Sequence, residues 1–173
     1  MSLLAKALGA LAGVQLIRFG LSVKYEPLYA TAGARWGVDP EKLHALALQE
    51  SHENPAAIGS VNADGSRDYG QMQINENNFA RLGVTAQTVM DPATNINAAA
   101  HLLADMMTAA PQLDTAAQFS VYNAGWGRDP ATGNLRARIT SAGVYVNLRY
   151  VLESLGWYVL VVLARFAVIQ RLP

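Results

Sequence analysis

Cysteine is absent from this sequence, and its absence excludes several classes of function. Without thiols the chain can form neither a disulfide framework nor a thiolate metal site, and it has no cysteine nucleophile. An excess of charge is missing too, because 13 basic residues balance 13 acidic residues. A formally neutral chain with no basic stripe is not typical of nucleic-acid-binding proteins, so we expect no nucleic-acid partner.

Histidine is scarce, with three residues at positions 44, 52 and 101. Metal sites usually place two ligands a few residues apart and repeat that pair elsewhere in the chain. The three histidines match no such spacing. We therefore predict structural or surface roles for His44, His52 and His101, and no metal site.

Long uninterrupted hydrophobic runs are missing as well, although 51% of the residues are hydrophobic. Near the N-terminus the unbroken apolar stretch covers residues 7–14, and near the C-terminus Arg165 interrupts the stretch 157–169. As a helix, even the longer of the two stretches, residues 157–169, spans about 20 Å, less than the hydrocarbon core of about 30 Å. A membrane-spanning helix is therefore not predicted at either end.

A chain of 173 residues is long enough for one domain with a substantial core. We predict this domain at residues 24–156, between an apolar N-terminal helix at residues 1–23 and an apolar C-terminal segment at residues 157–173. Both ends are expected to pack on the domain or on another protein. For the N-terminal helix, an uncleaved signal sequence or binding to a membrane surface is the alternative.

Helix-start signals divide the central part into short helices. Asp39 before Pro40, and Asp91 before Pro92, pair a capping side chain with a residue suited to the first helical turn. The Asn-, Gly-, Ser- and Asp-rich residues 54–67 indicate a loop or short hairpin. The prediction is a mainly α fold with a small β element near residues 58–74. Helices are predicted at residues 24–36, 39–51, 75–82, 91–110, 116–123 and 140–155, with a loop at residues 125–133.

Glu50 lies in the last turn of the predicted helix 39–51, which Asn54 and Pro55 end. The carboxylate there lies at the negative end of the helix dipole. If the side chain is also partly buried, the pKa of Glu50 rises above its ordinary value. A carboxyl group with a raised pKa can donate a proton near neutral pH, as a general acid must. Glu50 is therefore a candidate catalytic acid, with an ordinary solvated glutamate as the alternative.

Three short motifs follow one another in the chain: Glu50-Ser51, DYGQMQIN at residues 68–75, and VYNAG at residues 121–125. In this order they resemble the motifs of the lytic transglycosylases of the SLT/lysozyme-like superfamily. The chain is similar in particular to the small peptidoglycan-cleaving enzymes of phage virions and of conjugation and type IV secretion systems. The resemblance covers roughly residues 25–155 and implies an α+β lysozyme-like fold.

The resemblance implies cleavage of the β-1,4 bond between MurNAc and GlcNAc in peptidoglycan, with 1,6-anhydromuramyl products. Glu50 would protonate the leaving oxygen and then accept the proton of the muramic 6-hydroxyl, which closes the anhydro ring. No protein nucleophile and no attacking water are needed. The implied partner is the glycan strand, and no metal or organic cofactor is implied.

The same resemblance implies roles for residues of the other motifs. Tyr122 corresponds to a tyrosine beside the catalytic acid, where its phenol can hydrogen-bond the reacting group. Gln73 is expected to hydrogen-bond the saccharide and Met72 to form a wall of the cleft. The residues for which substrate binding is implied are Ser51, Gly70, Gln71, Met72, Gln73 and Asn123.

Asp68 supports an alternative reaction. It follows Glu50 by 18 residues, an interval similar to that between the two carboxylates of animal-type lysozyme, whose sheet the segment 62–75 also resembles. If the two carboxyl groups lie about 5 Å apart, a lysozyme-like muramidase with Asp68 as the second catalytic residue is feasible. If Asp68 instead bonds loop N–H groups, its role is structural. The VYNAG motif favours the transglycosylase.

The setting predicted from the sequence is a phage virion, in which the enzyme opens the cell wall locally for genome delivery, because no convincing cleavable signal is visible. A periplasmic component of a secretion or conjugation system is the alternative setting. A different class also stays open, namely a virion or secretion-channel structural protein with a vestigial cleft. The apolar termini would contact virion or envelope-complex proteins, and contact with a membrane is left open.

Overall fold

The computed structural model describes residues 23–141 and 144–169, and for Val23 and residues 163–169 it describes the backbone alone. The predicted N-terminal helix at residues 1–23 lies outside this range apart from Val23, and residues 170–173 lie outside it too. The predicted roles of both chain ends are therefore predictions still.

The described chain is mainly helical and carries two separate two-stranded hairpins, so the predicted fold class is confirmed. The α-helices are α1 (Glu26–Trp36), α2 (Pro40–Ser51), α3 (Phe79–Leu82), α4 (Pro92–Ala109), α5 (Thr115–Ala124) and α6 (Leu148–Ile169). Short 3-10 turns occupy Val23–Tyr25, Glu76–Asn78 and Thr88–Met90. The antiparallel strands are β1 (Asp68–Tyr69) with β2 (Ile74–Asn75), and β3 (Trp126–Arg128) with β4 (Leu135–Ala137).

The predicted capping residues begin the helices. Asp39 accepts a hydrogen bond from the backbone N–H of Glu41 at 2.9 Å, and Asp91 accepts one from Thr94 at 2.9 Å. Each satisfies a backbone donor that the first turn leaves without an intrahelical partner. Gly37 ends α1 in the left-handed conformation, which a glycine adopts without steric cost.

The core lies where α2 packs against α6 and where α1 packs against α4, with α5 closing the side next to α6. Leu43, Leu46, Ile96 and Phe119 are fully buried at the centre of this arrangement. Because Leu43 and Leu46 lie on successive turns of α2, their burial fixes the orientation of this helix and therefore the position of its last turn.

Two local predictions were wrong. The predicted loop at residues 125–133 contains strand β3, which forms a hairpin with β4. The predicted helix at residues 140–155 begins only at Leu148, because Ile139 and Tyr145 before it form an antiparallel bridge. The N–H of Thr140 bonds the carbonyl of Val144 at 2.7 Å, and that of Val146 bonds the carbonyl of Arg138 at 3.2 Å. The helix then continues to Ile169 across the predicted domain boundary at residue 157.

No helix in the part of the chain described by the structure is both long enough and apolar enough to cross a bilayer.

Candidate active-site cleft

An open cleft of about 690 Å³ runs between the last turn of α2, the β1–β2 hairpin and the C-terminal end of α5. The predicted site residues that line it are Glu50, Asp68, Gln73, Tyr122 and Asn123. The fold thus brings residues of all three sequence motifs to one cavity. Polar side chains from residues 62–66 and 75–78 continue the lining away from Glu50, which suits a ligand rich in hydroxyl and amide groups.

Glu50 lies in the last turn of α2, where its carboxyl group is partly buried in the cleft wall. Burial raises the pKa of Glu50 to about 7, and the negative charge of Asp68 adds to this shift. A hydrogen bond from the hydroxyl of Tyr150 to Oε1 of Glu50, at 2.5 Å, opposes it. Near neutral pH a substantial fraction of the Glu50 side chains therefore carries a proton that can be donated.

Tyr150 is a site residue that the sequence motifs did not identify. It lies in α6, 100 residues after Glu50, and contacts Glu50 because α6 packs along α2. Burial raises the pKa of Tyr150 well above its ordinary value, so the phenol remains a hydrogen-bond donor. The only signal in the sequence was its place in the predicted helix 140–155.

Tyr122 lines the cleft, but its hydroxyl donates to the carbonyl of Met72 at 2.8 Å. Burial, and then the charges of Glu50 and Asp68, raise the pKa of Tyr122 well above its ordinary value. In this structure Tyr122 therefore holds the turn between β1 and β2 against α5. The phenol that hydrogen-bonds Glu50 in this structure is that of Tyr150.

Asp68 shares the cleft with Glu50 and is held by two side-chain amides. Its Oδ1 accepts a hydrogen bond from Asn75 at 2.9 Å, and its Oδ2 accepts one from Asn62 at 3.2 Å. These bonds come from side chains and not from the loop N–H groups considered from the sequence. They fix the carboxylate at the cleft surface, where its charge acts on Glu50.

The side chain of Asn95 in α4 forms two hydrogen bonds with the backbone of the turn between β1 and β2. Its Oδ1 accepts the N–H of Met72 at 2.7 Å, and its Nδ2 donates to the carbonyl of Tyr69 at 2.9 Å. Gly70 adopts a φ of 74°, and a Cβ at this position would overlap the Asn95 amide. Gly70 therefore allows a buried side chain, and not a ligand, to approach the backbone closely.

Several residues predicted to bind substrate lie beneath the cleft and are not part of its lining. The hydroxyl of Ser51 donates to the carbonyl of Gln71 at 2.9 Å and accepts the N–H of Asn54 at 3.0 Å. The side chains of Gln71 and Met72 are fully buried, so neither can contact a sugar unless the turn rearranges. Of this motif, Gln73 is the residue whose side chain reaches the cleft beside Asp68.

A buried polar network supports the segment that follows Glu50. The imidazole of His44 lies 3.2 Å from a carboxylate oxygen of Glu26 and 3.2 Å from one of Glu53, and the hydroxyl of Tyr29 donates to Glu53 at 2.8 Å. Burial lowers the pKa of His44, but the two carboxylates outweigh this and raise it above its ordinary value. His44 thus has a structural position, one of the two alternatives predicted for it.

Among the described residues, no group of three or more His, Asp or Glu side chains is arranged as metal ligands would be. What the cleft offers is a protonated carboxylic acid, a second carboxylate and a phenol beside an open, polar groove. This set can exchange one proton with a bound ligand while the charge of Asp68 stabilises a positive centre nearby.

Comparison with known proteins agrees with this chemistry. A family model described as "Transglycosylase SLT domain" matches residues 27–138. "Invasion protein IagB" of Salmonella typhimurium (strain SL1344) is 36% identical over 91 residues, which is 50% of this chain and 56% of that protein. "Protein IpgF" of Shigella flexneri is 38% identical over 80 residues, or 44% of this chain and 52% of that protein.

The chain therefore spans about half the length of the curated relatives it matches. The matched family region includes Glu50, Asp68 and Tyr122 and ends before Tyr150. Because it extends over more than half of the sequence, the protein belongs to the transglycosylase SLT domain family.

Proposed function

We propose that this protein is a peptidoglycan lytic transglycosylase that cleaves the β-1,4 bond between MurNAc and GlcNAc and leaves 1,6-anhydromuramyl ends. The observation that carries the proposal is Glu50, a carboxyl group with a pKa of about 7 at the wall of an open polar cleft. Membership of the transglycosylase family supports the same reaction.

In the proposed reaction, Glu50 donates its proton to the glycosidic oxygen as the bond from that oxygen to the anomeric carbon breaks. The 6-hydroxyl of the same muramic sugar then attacks the anomeric carbon, and its proton passes to the Glu50 carboxylate. One carbon–oxygen bond is broken, one is formed, and Glu50 ends protonated, ready for another cycle. Tyr150 holds Oε1 of Glu50 during both transfers, and Asp68 stabilises the oxocarbenium-like centre between them.

A second candidate reaction is hydrolysis by a lysozyme-like muramidase. Asp68 favours it, because its carboxylate lines the same cleft as Glu50 and its charge contributes to the pKa of Glu50. In that reaction Asp68 would act as the second catalytic carboxylate and water would release the sugar. The two hydrogen bonds from Asn62 and Asn75 restrain Asp68, which suits a stabilising role better than that of a nucleophile.

The test is digestion of purified peptidoglycan, followed by mass spectrometry of the product ends. Anhydromuramyl ends, each one water lighter than a reducing end, are expected from the wild type. A Glu50→Gln variant should lose about 10²-fold to 10⁴-fold in rate, the usual contribution of a general acid or base. Reducing ends that disappear in Asp68→Asn would establish the muramidase instead. A folded wild type that releases no products would favour a structural protein with a vestigial cleft.

For the setting, we propose the envelope of a bacterium, as a component of a secretion or conjugation system. The support is that the relatives described above are bacterial proteins, one of them named for invasion. The phage virion that the sequence favoured has no support from these relatives. Detection of the protein in purified phage particles by mass spectrometry would restore it, whereas recovery in a bacterial envelope fraction is expected.

A further inference from the structure

The β3–β4 hairpin concentrates positive charge in a chain whose formal charge is zero. Residues 125–141 contain Arg128, Arg136 and Arg138, and Asp129 is their only acidic residue. Arg128 and Arg138 are exposed, and Arg136 is partly exposed. A local excess of positive charge at the surface attracts anions even when the whole protein is neutral.

The hairpin adjoins the cleft directly. Gly125 and Trp126, where β3 begins, line the cleft together with Tyr122 and Asn123. Nη1 of Arg138 donates to the carbonyl of Ala124 at 3.2 Å, which places this guanidinium beside the last residue of α5. The arginines therefore flank the rim at which α5 ends.

The register of the strands places two of the arginines on one face. Arg136 pairs with Gly127, and Arg138 is two residues further along the same extended segment, so both side chains leave the hairpin on the side of Gly127. A Cβ at Gly127 would lie 3.3 Å from Cγ of Arg138. The glycine thus leaves room for the aliphatic part of the Arg138 side chain to lie over β3.

The hydrogen bonds of the three guanidinium groups leave most of their charge uncompensated. Arg128 donates to the carbonyl of Gly133 at 3.0 Å, and Arg138 donates to the carbonyl of Ala124 at 3.2 Å. Arg136 alone among them has a carboxylate at ion-pair distance in the described chain, Asp129 at 3.4 Å. Backbone carbonyls orient the guanidinium groups of Arg128 and Arg138 but do not neutralise them, so these two can still bind an anion.

The cleft itself has the opposite character. Glu50, Asp64 and Asp68 line it, and the one arginine in its lining, Arg81, forms an ion pair with Asp105 at 2.6 Å. A neutral sugar chain suits such a groove, whereas a carboxylate would be repelled from it. Anionic groups carried by the same ligand would therefore be favoured outside the groove, at the hairpin.

We infer that the β3–β4 hairpin is an anion-binding rim of the cleft, which binds the free carboxylates of the peptide attached to the glycan strand. The inference rests on the proposed function, since a peptidoglycan strand combines neutral sugars with peptides that carry carboxylates. It adds a substrate preference to that function. The cleft binds the sugars, and the arginines distinguish peptide-bearing strands from strands without peptides.

The test compares two substrates, peptide-bearing glycan strands and the same strands stripped of peptides by an amidase. The triple variant Arg128→Gln, Arg136→Gln, Arg138→Gln should lose about fivefold to tenfold in kcat/KM on peptide-bearing strands, as expected for a few exposed charge contacts. Its kcat/KM on stripped strands should stay within about twofold of the wild type. Equal losses on both substrates, or no loss on either, would overturn the inference.

Two controls separate charge from folding. The matched triple variant Arg128→Lys, Arg136→Lys, Arg138→Lys keeps the charges but loses the planar guanidinium groups. It should therefore retain most of the preference for peptide-bearing strands. Arg35→Gln removes an exposed arginine from α1, which contributes no residue to the cleft, and should change neither rate. A Lys variant as impaired as the Gln variant on both substrates would show that the arginines only hold the hairpin together.

A binding measurement tests the inference independently of catalysis. In an NMR titration of the full chain, muramyl dipeptide with a free carboxylate should shift the backbone amides of Arg128, Arg136 and Arg138, and its fully amidated form should not. If the wild type cleaves neither substrate, the proposed function fails and this titration alone decides whether the rim exists. Equal shifts with both forms, or no shifts with either, would overturn the inference.

Discussion

Two short hairpins flank the cleft, and they are built in opposite ways. The β1–β2 hairpin next to Glu50 is fastened from beneath by side chains of three helices: Ser51 of α2, Asn95 of α4 and Tyr122 of α5. The β3–β4 hairpin packs Ala137 against α5, bonds its two strands to each other, and exposes Arg128 and Arg138. The first fixes the position of the Asp68 carboxylate relative to Glu50, whereas the second presents charge to whatever lies outside the cleft.

This difference shows how the protein divides two requirements. Proton transfer needs reacting groups held within hydrogen-bonding distance, which buried and fully bonded residues provide. Attraction of a charged, mobile substituent needs accessible side chains and little precision. Mutations in the two hairpins should therefore affect different properties, stability and reaction geometry in one case and substrate preference in the other.

The largest effect on stability is expected from Asn95→Ala. The substitution removes hydrogen bonds to two backbone groups, of Met72 and Tyr69, and leaves the buried N–H of Met72 without an acceptor. We expect a loss of about 2–4 kcal/mol in the free energy of unfolding, measured by urea denaturation. The matched change in the other hairpin, Asn134→Ala at an exposed position, should stay within about 0.5 kcal/mol. Similar losses in both variants would contradict the contrast.

Glu50→Gln is expected to change the free energy of unfolding by less than Asn95→Ala does, and by an amount that depends on pH. The pKa of Glu50 is raised from 4.5 to about 7 in the folded protein, so its contribution to stability is present below pH 4.5 and is lost as the pH rises through 7. The Gln variant should therefore be more stable than the wild type at pH 8, by about 1–2 kcal/mol after allowance for partial exposure. Thermal unfolding across pH 4–8 measures this difference.

Asp129 in the β3–β4 hairpin serves as a control, because its pKa is shifted in the opposite direction to that of Glu50. Backbone N–H groups of Thr132 and Ala131 lower its pKa, so its contribution to stability is present above the pKa of the unfolded chain and is lost as the pH falls. Asp129→Asn should therefore be no more stable than the wild type at pH 8. If Glu50→Gln were also no more stable at pH 8, the carboxyl group of Glu50 would not be disfavoured as an anion.

The smallest effect expected is a shift in the alkaline limb of the pH–rate profile. Activity should fall as Glu50 loses its proton, near pH 7. Tyr150→Phe removes a hydrogen bond that lowers this pKa, so the limb should move to higher pH. Asp68→Asn removes a charge that raises it, so the limb should move to lower pH. Shifts of kcat/KM profiles in the same direction for both variants would refute these assigned effects.

Much of the helical framework could be predicted because its signals are local. Asp39 and Asp91 cap the helices that they were expected to begin, since a capping side chain bonds N–H groups two or three residues away. The β3–β4 hairpin was missed because its glycines and Asp129 also suit a loop. Residues 144–147 were wrongly predicted as helical because the N–H of Val146 bonds the carbonyl of Arg138 on the adjacent segment.

The sequence by itself determined the helix starts, the candidate acid and the family motifs, because each depends on residues that are neighbours along the chain. Only the tertiary structure decided which motif residues face the cleft and which face the interior: Gln73 is in the lining, whereas Gln71 and Met72 are buried. It also decided that Tyr150, and not Tyr122, bonds Glu50. Such contacts depend on how α2, α5 and α6 pack together, and the packing of distant segments leaves no local pattern in the sequence.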